Sequence, residues 1–116
     1  MALNKLQKAV HAVFDSLKSR QIQLPNGIER QWLLDDQNGH YQLLHIGWDD
    51  MKPVRNILVH IDIKNDFVWV QCDYTEYNIV DALLEHGVTK DRIVLAFHAP
   101  YKRQYTGFAV GNEVAA

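Results

Sequence analysis

The stretch VRNILVHIDIKNDFVWVQCD, residues 54–73, constrains this chain more than any other. Residues 54–63 alternate, with Ile57, Val59, Ile61 and Ile63 on one side and Leu58, His60 and Asp62 on the other, the pattern of a half-buried strand. Residues 67–73 (FVWVQCD) are again β-branched and aromatic, and Lys64-Asn65-Asp66 between the two runs suits a reverse turn. The pair predicts a hairpin. A second hairpin is predicted just before it, from residues 28–35 (IERQWLLD) and 40–48 (HYQLLHIGW), with Asn38-Gly39 tolerating the positive φ of a tight turn.

Helical spacing flanks this strand-rich centre. Leu3, Leu6, Val10, Val13, Phe14 and Leu17 form one apolar stripe, so a first helix is expected to end near residues 19–21, with the turn residues LPNG (24–27) following. Ile79, Val80, Leu83 and Leu84 predict a second helix with Asn78 as N-cap and Gly87 at its end. Thr89 followed by KDRIVLAF favours a last short helix with Ile93, Val94 and Phe97 inward, stopped by Pro100, while a strand over RIVLAF fits nearly as well. The expected fold is α+β: an N-terminal helix, an antiparallel sheet of about four strands in two hairpins, and C-terminal helices packed on the sheet, in one domain over residues 1–116.

A chain of 116 residues that is 47% hydrophobic and 22% charged has the balance of a folded domain. It has neither an apolar run of membrane-spanning length nor a basic-then-apolar leader, so a cytoplasmic location is expected and no membrane partner. The single cysteine, Cys72, lies in an apolar strand and reads as an inert thiol. The net charge of −2 argues against autonomous duplex binding, which needs a gathered excess of Lys and Arg. Residues 1–88 carry 8 basic against 12 acidic side chains, whereas residues 89–116 carry 4 against 2. DNA contact is therefore expected only indirectly or weakly.

Six histidines invite a catalytic or metal reading, and His60 with Asp62 on one strand face, with His45 alongside, is the arrangement that a metal-assisted nuclease or hydrolase would use. Against it, the histidines lack zinc-finger and HExxH spacing, and no cysteine pair assists them. A structural role, solvated or mutually hydrogen-bonded, is the commoner use of such residues. The aspartate pairs 35–36 and 49–50 read as solvated loop charges. There is no glycine-rich phosphate loop, nucleophile elbow or Cys-His arrangement, so no catalytic residue, cofactor or metal is expected. Trp48 either closes one end of the sheet or anchors a partner.

The segment APYKRQYTGFAV (99–110) lies in the one basic region and has two readings. In one, Tyr101, Tyr105 and Phe108 pack over the sheet while Lys102 and Arg103 reach water; in the other, a Tyr/Arg-rich patch forms a protein interface. The residues also carry a resemblance. HYQLLHIGWD, VHIDIKNDFVWVQ, LLEHGVTKDRIVLAFHAP and KRQYTGFAV, in this order, resemble the XisI family, from about His40 to Val110. Members are described as controlling factors for excision of the fdxN element, a developmentally regulated DNA excision in cyanobacteria. The resemblance implies a small α+β regulator that acts beside a XisH-type protein to control a recombinase, with no catalytic residues carried over. Joined to the composition, it weights the segment towards a partner surface made by Tyr101, Lys102, Arg103 and Tyr105, with Trp48 adding contacts. A homodimer also fits the strand edges that such a fold exposes.

Overall fold

The computed structural model describes residues 3–20 and 22–111. Helix α1 (Lys5–Ser19) starts at a reciprocal cap: the Asn4 side chain accepts from the Gln7 amide at 2.8 Å, and the Gln7 side chain accepts from the Asn4 amide at 2.9 Å. Its apolar stripe buries Val10, Val13, Phe14 and Leu17 as the spacing predicts. Phe14 meets the rings of Trp32 and Tyr41 edge-on, with centroids 6.0 and 6.3 Å away.

Strands β1 (Ile28–Asp35), β2 (His40–Asp49), β3 (Lys52–Lys64) and β4 (Phe67–Asp73) form the two expected hairpins, and pairing of β2 with β3 joins them into one antiparallel meander. Asn65 and Asp66 both take positive φ, at 54° and 65°, so β3 and β4 are joined by a two-residue turn whose twist matches the strands. The β1–β2 turn is wider than the tight Asn-Gly turn expected, with Gly39 alone at positive φ (75°) and the Asp35 side chain accepting from the Asn38 amide. A Cβ on Gly39 would lie 2.4 Å from the Ile63 carbonyl oxygen, a close approach only glycine allows.

Helix α2 (Ile79–Glu85) begins at the predicted cap, Asn78, whose side chain accepts from the Asp81 amide. Asp73 reinforces it by accepting from the Ile79 amide at 3.0 Å. The next segment departs from the helix expected for it. A 3-10 turn (Lys90–Arg92) leads into a fifth strand, β5 (Ile93–Leu95), parallel to β4 and extending the sheet to the order β1-β2-β3-β4-β5. Burial on both faces decides this. Ile93 and Leu95 enter the main core, while Val94 packs with Phe67, Trp69 and Ala109 on the opposite face, which a one-sided helix could not do. Phe97, expected inward, is exposed. The segment after β5 forms a 3-10 helix (Pro100–Tyr105), so α2, between β4 and β5, is the one α-helix after β4 among the described residues.

Both α-helices cover one face of the sheet, where Tyr41, Leu43, Val59, Ile61, Val68 and Val70 meet them. Each such fully buried side chain contributes about 2 kcal/mol through removal from water. On the opposite face the residues after β5 cover β4 and β5, while Leu33 and Ile57 on β1 and β3 remain exposed. The exposure of Ile57 corrects the simple alternation. The register slips by one residue between Leu43 and Leu44, and the bulged Leu58 packs on the core in its place.

Candidate functional site

The C-terminal segment is held down by its arginine. Arg103 donates from Nε to the His98 carbonyl at 3.1 Å and from Nη2 to the Ala96 carbonyl at 3.0 Å, and its guanidinium lies 5.7 Å from the Trp69 ring centroid. Lys64 Nζ stands 4.1 Å from the same ring. Beyond it, Thr106 accepts from the Phe108 amide, Phe108 packs on the main core, and the Ala109 amide donates to the Ile93 carbonyl at 2.9 Å. Gly111 lies against Trp69, where an added Cβ would come within 2.3 Å of the indole.

This arrangement reverses part of the expected orientation. Arg103 is half-buried and structural, and Phe108 is packed, whereas Tyr101 is 69% and Tyr105 81% exposed. Lys102 is exposed, with Nζ 5.8 Å over the Tyr101 ring. Together with exposed Phe97, the segment presents three aromatic rings and one lysine on a firmly fixed support. Trp48, 58% exposed, lies at the β2–β3 hairpin beside exposed Met51, in the other half of the sheet from β5. The structure thus brings Tyr101, Lys102 and Tyr105 onto one segment and places Trp48 apart from them.

His60 and Asp62 do meet, but the third partner is His40. Asp62 Oδ1 lies 2.8 Å from His40 Nδ1 and 3.0 Å from His60 Nε2, and Oδ2 accepts from Gln71 Nε2 at 3.2 Å. Burial would raise the Asp62 carboxyl, yet the hydrogen bonds from His40, His60 and Gln71 and the His60 charge outweigh it and hold the group below the usual carboxylate range. The β2–β3 register sets His40 opposite Asp62 and His45 opposite Asn56, and the slip between Leu43 and Leu44 moves the partner of His45 by only one residue, so His45 is out of reach of Asp62 in either register. Nothing in the sequence marks that slip. Among the described residues no group of three or more His, Cys, Asp or Glu is arranged to hold a metal ion.

Two other polar sites were missed. Asp36, read as a solvated loop charge, accepts from the Tyr41 hydroxyl at 2.6 Å and lies 2.7 Å from His11 Nε2. Burial and the Asp36 carboxylate push the Tyr41 phenol well above its ordinary value, and the Tyr41 and His11 bonds lower Asp36 in turn. His45 accepts on Nε2 from Arg30 Nε at 3.1 Å, and burial and then the Arg30 charge lower its pKa, so the imidazole is neutral. The Cys72 thiol is raised mainly by burial, the direction opposite to that of a reactive nucleophile.

A family model described as XisI protein matches residues 1–110. Among solved structures, a XisI-like protein from Anabaena variabilis is 34% identical with a TM-score of 0.85, over 92% of this chain and 97% of its own. The fdxN element excision controlling factor XisI from the same organism is 31% identical with a TM-score of 0.82, over 93% and 100%. No curated protein matches. Among the described residues no helix is long and apolar enough to cross a membrane.

Proposed function

Because this chain belongs to the XisI family, we propose that it is a non-catalytic controlling factor for programmed excision of a DNA element, acting by binding a protein partner of the XisH type. The observation that carries the reading is the outward set of Phe97, Tyr101 and Tyr105 on a segment fixed from behind by Arg103 and Phe108. Aromatic rings with few rotatable bonds, held on a rigid support, are what interfaces bury at their centres. Lys102 adds a positive rim, which favours an acidic partner surface. DNA is reached through the partner, because the chain as a whole is acidic.

The test is excision itself. In a host carrying the element and its recombinase, deletion of this chain abolishes the dependence of excision on the XisH-type protein, and Tyr101→Ala with Tyr105→Ala reproduces the deletion while the variant stays folded by circular dichroism. Cleavage of the element's DNA by the purified chain with Mg²⁺ or Mn²⁺ alone would overturn the non-catalytic reading.

A further inference from the structure

A cleft of about 630 Å³ opens between the end of α1, strands β1 and β2 and the loop after β4, away from the C-terminal segment. Its size is that of a small-molecule site. Leu17, Ile22 and Leu58 give it apolar walls, and Tyr74 and Tyr77 give it aromatic ones. The Arg20 guanidinium already lies 4.2 Å from the Tyr77 ring centroid, so that ring is one face of a stack.

The charge in the cleft is unbalanced. Arg30 spends its Nε on neutral His45, and among the described residues no carboxylate pairs with Arg30 or Arg20. Glu76, exposed at the rim, is the one acidic side chain in the lining among the described residues. A neighbouring groove of about 490 Å³ shares His45, Leu58 and Tyr74 and adds Arg55. Guanidinium N–H groups without a carboxylate, beside apolar and aromatic walls, match a ligand that has a flat apolar body and an anionic end.

We propose that this cleft binds a small aromatic anion, with its ring against Tyr74 and Tyr77 and its carboxylate or phosphate on Arg30. Neutral His45 fits the part. It holds Arg30 in place without neutralising it, and a bound anion beside it would draw its imidazole pKa upward.

The test is an NMR titration of the full chain with indole-3-acetate, phenyl phosphate and the uncharged control indole-3-acetamide. At least one anion is expected to move the Arg30 Nε, His45 and Tyr74 signals with a dissociation constant at or below about 1 mM, and to raise the His45 titration midpoint. The preferred anion tells carboxylate from phosphate. The amide should bind at least about tenfold more weakly. Arg30→Gln should remove the preference for the anion, and Tyr74→Ala, a substitution at a side chain 77% exposed and so harmless to the fold, should weaken the anion and the amide alike. Unmoved signals at about 10 mM of both anions, or equal binding of the amide, would overturn the proposal.

Discussion

Replacing Arg103 with alanine removes two charged hydrogen bonds to the Ala96 and His98 carbonyls, so the C-terminal segment should loosen. A loss of about 1–2 kcal/mol is expected for this half-exposed site, with faster hydrogen exchange at the Ala109 amide, while Lys102→Ala should stay within about 0.5 kcal/mol. Equal effects of the two in urea unfolding would contradict the clamp. His45 supplies a second test. Its folded pKa lies below the unfolded value of 6.5, so its contribution is complete above about pH 6.5 and is lost as the pH falls through the lowered folded value. His45→Gln has no such proton to take up, and its stability measured from pH 7 downward should fall less steeply than that of the wild type. The direction of Arg103 was not legible beforehand. KRQY states that a guanidinium is present, but the two carbonyls that capture it are aimed by a loop whose course depends on β5.

At the scale of elements, α1, α2 and strands β1 to β4 were readable because each carries its own period and punctuation: the apolar stripe from Leu6 to Leu17, the alternation from Val59 to Ile63, the Asn65-Asp66 turn. β5 was not, since Ile93-Val94-Leu95 has too few residues to show a period and is made a strand by pairing with Val68, Trp69 and Val70. The bulges at Leu58 and Gln71 leave no mark in the sequence, and neither does the β2–β3 register that places His40, and not His45, opposite Asp62. The width of the β1–β2 turn has its own test. Gly39→Ala places a Cβ against the Ile63 carbonyl at positive φ, and a loss of at least about 2 kcal/mol is expected in chemical unfolding. A near-neutral result would mean that the turn is free to relax.

For the whole molecule, one sheet face is sealed by helices and half of the other by the C-terminal segment, and among the described residues β1 is an edge strand with no strand paired on its outer side. That edge is where a homodimer would add strands, and it lies across the sheet from Tyr101 and Tyr105. Self-association and partner binding should therefore be separable by substitution. Acid unfolding should reflect Asp62: its stabilisation is full above its ordinary value of 3.8 and is lost as the pH falls through the lower folded one, so Asp62→Asn should flatten that limb. The central claim is that a partner docks on the exposed aromatic segment, and calorimetric titration of the purified chain with its XisH-type protein tests it most directly. The account predicts saturable binding at or below about 1 μM, weakened at least about tenfold by Tyr101→Ala with Tyr105→Ala in a variant that melts like the wild type. Undiminished binding by that folded variant, or no heat of binding with the wild type, would contradict it.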